Sequence, residues 1–179
     1  MNEAMCNVAL AALGQAMENE RQGEAFYQDL MEHVEDPAGR EVFQTLADEE
    51  VEHVRVLQAE YEAVQKDHAW MALDKARTCE PLTPLELFPE RRDSALSVAP
   101  KIKDVDALKM AMGFEEKGYN SYAKSARETS DPEGKKVFEF LAKQENAHFV
   151  FLQKTLDYLT NQGAWYFDDQ EFPFFDGAS

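Results

Sequence analysis

Two Glu-x-x-His motifs in this sequence have the residue types and the spacing of metal ligands. Glu50 pairs with His53, and Glu145 pairs with His148. Residues three or four apart lie on one face of a helix. Leucines precede and follow the motifs on that face: Leu46 and Leu57, and Leu141 and Leu152. Each motif therefore lies in an apolar stripe, which predicts that it faces the interior of a helical protein.

Two more glutamates, Glu20 and Glu115, complete the set. Each is followed seven residues later by a tyrosine, Tyr27 or Tyr122, on the same helix face. Four buried carboxylates would be very costly without compensation, and two divalent cations would neutralise their charge. One Glu from each of two helices plus a Glu-x-x-His from each of the other two is the ligand pattern of di-iron carboxylate bundles. The predicted metal ligands are Glu20, Glu50, His53, Glu115, Glu145 and His148.

The mixed carboxylate and imidazole donors suit Fe(II), Mn(II) or Zn(II), and there is no soft sulfur to favour copper(I). The di-iron carboxylate pattern makes two Fe ions the expected cofactor, with Mn or Zn as alternatives. Tyr27 and Tyr122 are predicted to hydrogen-bond the ligand carboxylates; the alternative is ordinary packing of half-buried aromatic rings. Gly23 and Gly118 each lie one turn beyond a predicted ligand. They leave room either for a bound oxygen species or for close packing of helices.

Other polar residues lack this pattern. His33 is expected to interact with the dipole at a helix C-terminus, and His68 has no ligand context. Five glutamates are expected to be solvated, as most glutamates of helical proteins are: Glu18, Glu24, Glu49, Glu52 and Glu116.

The sequence contains an internal repeat with a shift of 95 residues. Residues 12–58 align with 107–153 without a gap, and 18 of the 47 aligned positions are identical. The identical positions include both Glu-x-x-His motifs and both partner glutamates. The repeat predicts two copies of one helical hairpin.

The repeat also defines the predicted elements. Asp36 and Asp131 are typical N-caps, each followed by a proline. Such tight turns make the two helices of each hairpin antiparallel neighbours. The fold class is therefore all-α, a ferritin-like four-helix bundle over residues 1–162 with a long crossover over about 67–103 and an aromatic tail over 163–179. The predicted helices span about 7–34, 37–66, 104–128 and 132–160.

Composition limits the partners. The formal net charge is −17, which repels phosphate backbones and argues against nucleic-acid binding. No apolar run approaches the roughly 18 residues needed to span a membrane. The N-terminus lacks the pattern of a signal peptide, and the two cysteines, Cys6 and Cys79, form no Cys-x-x-Cys pair. A reducing, cytoplasmic location is expected.

The residues resemble the rubrerythrin branch of the ferritin-like superfamily over roughly residues 7–160. The motifs that carry the resemblance are Glu20-x6-Tyr27, Glu50-x-x-His53, Glu115-x6-Tyr122 and Glu145-x-x-His148. The resemblance implies that Glu50 and Glu145 bridge two metals. It further implies that Glu20 with His53 completes one metal position, and Glu115 with His148 the other. The implied activity is reduction of peroxide or dioxygen by a ferrous pair.

Two departures from that family keep other functions open. Typical rubrerythrins carry a rubredoxin domain with four cysteines, which this chain lacks, so the electrons are expected from a separate donor protein. They also carry a seventh ligand, a glutamate, where this chain has Gly118. The remaining six-ligand set equally resembles that of bacterioferritin. An iron-storage protein with ferroxidase activity and a non-catalytic module stabilised by metal are therefore the alternatives.

The aromatic tail predicts a homodimer. It carries six aromatic residues between 165 and 175, and so much apolar surface is expected to be covered, as at an interface between chains. Exchange of the two alike hairpins offers a further route to a dimer. The alternative is that the tail caps its own bundle. Light scattering after size exclusion should give a dimer mass. A monomer at about micromolar concentration would contradict the prediction, and a dimer that survives deletion of residues 164–179 would limit the tail to capping.

Overall fold

The computed structural model describes residues 1–79 and 102–163. This part of the chain is all-α, with four long helices and one short one. The predicted long helices are confirmed to within a few residues at each end. None of the helices in the described ranges is both long and apolar enough to cross a membrane. The helices are α1 (Glu3–His33), α2 (Pro37–Asp67), α3 (Leu73–Thr78), α4 (Asp104–Glu128) and α5 (Pro132–Gln162).

The two Asp-Pro turns begin α2 and α5 as predicted. Asp36 accepts a hydrogen bond from the backbone N–H of Ala38, and Asp131 accepts one from that of Glu133. A proline occupies the first helical position after each cap, where its missing N–H costs nothing. Tyr27, near the end of α1, stacks on Phe43, near the start of α2. The helices of the first hairpin therefore run antiparallel.

Two large apolar clusters, one toward each end of the bundle, form most of the described core, and a small third cluster of Val56, Ala59 and Ala76 packs α3 against α2. The first contains Tyr27, Phe43 and Leu46 of the first hairpin together with Leu108 and Leu152 of the second. In the second cluster the repeats exchange places, as its members include Leu13, Leu57, Tyr122, Phe138 and Leu141. Each residue of the first set is replaced in the second cluster by its repeat equivalent, 95 residues later or earlier in the chain. An approximate two-fold relation therefore joins the hairpins. The predicted ligands lie between these clusters along the sequence.

The short helix α3 was not predicted. It lies in the segment expected to be the long crossover, and Arg55 of α2 holds it by donating hydrogen bonds to the backbone oxygens of Arg77 and Cys79. The Arg77 guanidinium in turn lies over the Phe140 ring of α5, 5.2 Å from its centroid. The connector thus begins by packing across α2 and α5. The rest of the crossover, from 80 to 101, and the aromatic tail from 164 lie outside the described residues.

Glu60 is a buried carboxylate outside the ligand set. Its Oε2 accepts a hydrogen bond of 2.9 Å from the backbone N–H of Met71, which ties α2 to the start of the connector. Among the described residues, its Oε1 has no hydrogen-bond partner. Burial raises the pKa of Glu60 to about 7 although the Met71 N–H opposes the shift, and the nearby charges of Glu133 and Asp131 add to it.

Replacing Glu60 with Gln should therefore change how stability depends on pH. The folded protein binds the proton more tightly than the unfolded chain, so ionisation of Glu60 lowers stability as the pH rises from about 4.5 to about 7. Glu60→Gln keeps the oxygen that accepts from Met71 but cannot ionise. We expect it to match wild type at about pH 4.5 and to exceed it by up to about 3 kcal/mol above pH 7.

Denaturant unfolding across this pH range measures the difference between variant and wild type, in which contributions from other titrating groups cancel to first order. Glu41→Gln, at an exposed carboxylate of the same helix, controls for the loss of one negative charge. A difference that stays constant from pH 4.5 to about 8 would show that Glu60 does not carry this pH dependence.

Candidate metal centre

The six predicted ligands converge in the interior of the bundle. Each of the four long helices contributes, and every one of the six side chains is at most 2% exposed. The His53 and His148 rings stack with their centroids 5.6 Å apart. A buried polar cluster of this size is uncommon inside an apolar core.

The cluster divides into two sets of donors that share two carboxylates. One set is formed by Glu20, Glu50, His53 and Glu145, and the other by Glu50, Glu115, Glu145 and His148. Within each set the potential ligand atoms lie within 4.8 Å of one another. Glu50 and Glu145 belong to both, as two bridging carboxylates would, while one further Glu and one His belong to each set alone. The described residues are thus able to hold a pair of metal ions.

Crowding of carboxylates sets the charge state of the cluster. Burial, followed by the charge of Glu20, raises the pKa of Glu50 well above its usual range. Burial and the charge of Glu115 do the same to the pKa of Glu145. Burial opposes the charged form of His148, but the charge and hydrogen bond of Glu115, together with the hydrogen bond of Glu49, outweigh it and raise the pKa of that imidazole to about 9. The metal-free centre therefore retains protons, which divalent cations would replace.

Both tyrosines named from the repeat reach the cluster, and each crosses to the other hairpin. The Tyr27 hydroxyl donates a hydrogen bond to Glu115, and the Tyr122 hydroxyl donates one to Glu20. Burial, followed by the charge of the accepting carboxylate, raises the pKa of both phenols well above the usual value. They therefore remain hydrogen-bond donors at neutral pH. Each holds one oxygen of a glutamate that belongs to a single donor set, Glu115 or Glu20.

Several buried polar atoms of the cluster have no hydrogen-bond partner and are suited to bind a metal ion. Within the described residues, Glu50 Oε1, Glu115 Oε2, Glu145 Oε1 and His148 Nδ1 are buried and make no hydrogen bond. Unsatisfied buried polar atoms are rare in native structures and call for an explanation such as an ion. A pair of divalent cations would use these atoms as ligands, so the residues present fit the group.

The two glycines make room for the shared carboxylates. A Cβ at Gly118 would lie 2.2 Å from Oε2 of Glu145, and a Cβ at Gly23 would lie 3.0 Å from Cδ of Glu50. Each glycine thus faces the shared glutamate of its own hairpin. The Cβ position at Gly23 also lies 3.0 Å from the Phe114 ring of α4, so at that glycine the missing side chain additionally allows close packing between helices.

The expectation that Glu49 is solvated is wrong. Glu49 is only 6% exposed, and its Oε2 lies 3.1 Å from Nε2 of His148. With His53 and His148 it forms a third group of potential ligand atoms. Glu49 lies four residues before His53, at the edge of the same apolar stripe, and this position could have indicated burial. It was not recognised because Glu49 is also about 100° around the helix from Glu50, away from the centre of the stripe.

The remaining polar residues lie away from the cluster as expected. Glu116 is exposed, and Glu18, Glu24 and Glu52 are partly exposed. His33 lies in the last turn of α1, with its Nδ1 2.8 Å from the backbone oxygen of Asp29. His68 ends α2 in the left-handed conformation, and its Nδ1 lies 3.4 Å from the Cys6 Sγ.

The fold and the cluster together define a ferritin-like helical bundle with a carboxylate and histidine centre able to hold metal. Comparison with family models matches residues 11–156 to the family described as Rubrerythrin. The chain belongs to the rubrerythrin family, whose members are typically oxidoreductases and bind di-iron centres.

Comparison with solved structures finds similarity to a hypothetical protein from Pyrococcus furiosus. The two chains are 25% identical, with a TM-score of 0.61, and the match covers 86% of this chain and 90% of the other. Comparison with curated proteins gave no match.

Substituting the glycine beneath Glu145 should weaken metal binding without unfolding the protein. In Gly118→Ala the new Cβ would overlap the Glu145 carboxylate, which is the flexible end of a side chain and can move at little cost to the fold. Alanine also favours the helix by up to about 1 kcal/mol. We expect unchanged or slightly raised thermal stability of the apoprotein and a loss of Fe(II) affinity of roughly tenfold or more.

Gly113→Ala is the matched control in the same helix, since a Cβ there meets no described heavy atom within 4 Å. It should gain the same helix stability and bind metal as wild type does. Anaerobic Fe(II) titration of both variants measures the effect, and equal affinities would contradict this account of Gly118.

Proposed function

We propose that this protein is a di-iron redox enzyme that reduces hydrogen peroxide with electrons from a separate donor protein. The observation that carries the proposal is the pair of donor sets sharing Glu50 and Glu145. Membership of the rubrerythrin family supports the same reading. We also propose a reducing, cytoplasmic location, in which Cys6 and Cys79 would remain thiols.

In this proposal Glu50 and Glu145 would serve as ligands for both ions. Glu20 with His53 would complete one position, and Glu115 with His148 the other. A bound ferrous pair would supply two electrons, one from each ion, for cleavage of a peroxide O–O bond. The six ligands are buried, and residues of the two large apolar clusters flank them along the sequence, so the bundle would limit the access of water to the centre.

The protein's own groups would manage orientation and protons. Tyr27 and Tyr122 each hold one carboxylate oxygen of Glu115 and Glu20, respectively, by a hydrogen bond. The second oxygen of each carboxylate is left for an ion. Such partners orient ligands and tune the metal. Protons held by Glu50 and Glu145 in the metal-free protein leave when cations bind, so metal affinity should fall as the pH falls.

The second candidate is an iron-storage protein with ferroxidase activity. Gly118 favours this alternative, because the space where a seventh carboxylate would attach is occupied by Glu145. Without that seventh ligand the set of six is symmetric between the repeats. Dioxygen would then be the oxidant, and ferric iron the product passed on.

The rates of oxidation by the two oxidants distinguish these functions. We expect stopped-flow absorbance to show faster oxidation of the di-ferrous protein by peroxide than by dioxygen at equal concentrations. Glu50→Ala combined with Glu145→Ala should abolish the fast phase, since both shared ligands are lost. Glu41→Ala combined with Glu139→Ala removes two exposed carboxylates from the same helices and should leave the rates unchanged. Faster oxidation by dioxygen would favour the ferroxidase.

A further inference from the structure

The two histidines of the centre differ in the hydrogen-bond partner of Nε2, the ring nitrogen opposite the one that faces the donor set. His148 Nε2 lies 3.1 Å from the buried carboxylate of Glu49. His53 Nε2 is equally buried, but it has no hydrogen-bond partner in the part of the chain that the structure describes. The repeat aligns Glu49 with Gln144, a neutral and partly exposed residue. The approximate two-fold relation of the ligands therefore does not extend to the groups behind them.

The carboxylate of Glu49 selects the orientation and tautomer of His148. A carboxylate oxygen accepts hydrogen bonds, so a proton on Nε2 of His148 would be donated to Glu49. The opposite nitrogen, Nδ1, lies 3.5 Å from Glu115 Oε2, within the donor set. An imidazole held in this way presents its Nδ1 lone pair to a cation while the other nitrogen keeps its proton and its partner.

His53 lacks this arrangement, because Glu49 makes its hydrogen bond with His148 and lies near His53, within 4.8 Å, without bonding its Nε2. Its Nδ1 lies 2.9 Å from Glu20 Oε2 and 3.4 Å from Glu50 Oε2, so this nitrogen faces the donor set. If Nδ1 binds a cation, the proton must reside on Nε2, where no described acceptor is within hydrogen-bonding distance. The ring instead meets the edge of Phe140, with the ring centroids 6.4 Å apart. A buried donor without an acceptor weakens the complex that requires it.

We propose that Glu49 is a positioning residue that makes the two metal positions unequal. The position formed with Glu115 and His148 binds its cation first and more tightly, and the position formed with Glu20 and His53 binds second. The inference rests on the proposed di-metal centre and adds an order of binding to it. Removing a carboxylate behind a metal-bound histidine typically costs 10–100-fold in affinity, so we expect the two affinities to differ by about that factor.

Anaerobic titration of the full chain with Co(II) tests the proposal, because the visible absorption of Co(II) reports its ligands at each step. Wild type should take up two ions in two resolved steps. In Glu49→Gln both halves carry a neutral amide, so the tighter affinity should fall by about 10–100-fold and the steps should merge. His148→Ala should remove the first step, and His53→Ala the second.

The repeat supplies the reciprocal variant. Gln144→Glu places a carboxylate at the position equivalent to Glu49, and it should raise the weaker affinity until the two steps merge at the tighter value. Asp48→Asn, at the exposed neighbour of Glu49, removes one charge from the same turn and should leave two separate steps. Circular dichroism confirms folding, and a gain in affinity by Gln144→Glu supports the proposal even if Glu49→Gln folds poorly.

The outcomes that overturn the proposal are distinct. Equal affinities in wild type, or two unchanged steps in Glu49→Gln, would show that Glu49 does not set the order. Uptake of a third ion that is lost in Glu49→Gln would make Glu49 a direct ligand instead of a positioning residue. Absence of any Co(II) uptake by folded wild type would overturn the di-metal centre itself, and this inference with it.

Discussion

Burial of like charges in the interior of the bundle is the constraint on which the rest of the structure depends. Glu20, Glu50, Glu115 and Glu145 lie in a cluster that water does not reach. Their mutual repulsion and desolvation raise the pKa of the two shared carboxylates well above the usual range. A chain that placed such groups in its core for stability alone would gain more from apolar residues of similar size. The cluster is explained by a role in binding cations, which would neutralise the buried carboxylates.

The surrounding structure supports this cluster by repetition. Each hairpin supplies one glutamate from its first helix and one Glu-x-x-His from its second, and each contributes residues to both large apolar clusters. The tyrosine of each hairpin then bonds the unshared glutamate of the other. Disturbing one hairpin therefore affects both halves of the centre, so the positions of the donors depend on the packing of the whole bundle.

Much of this could be predicted from the sequence because the determining signals are local and occur twice. The Asp-Pro caps and the apolar periodicity define the helices, and the 95-residue repeat brings six polar residues onto interior faces. Glu49 was misjudged because the repeat emphasises what the halves share, and position 49 is where they differ. The short helix α3 was missed because six residues are too few to show a period, and it is held by tertiary contacts from Arg55. The role of Gly118 depends on the rotamer of Glu145, which spacing alone does not determine.

The central claim is that two metal ions bind between the four helices with Glu50 and Glu145 shared between them. X-ray diffraction from crystals of the Fe(II)-loaded protein, recorded on both sides of the iron absorption edge, tests it most directly. The account predicts two anomalous peaks per chain, each within bonding distance of one histidine and both beside the carboxylates of Glu50 and Glu145. A single peak, or iron only at surface carboxylates with the cluster empty, would contradict it.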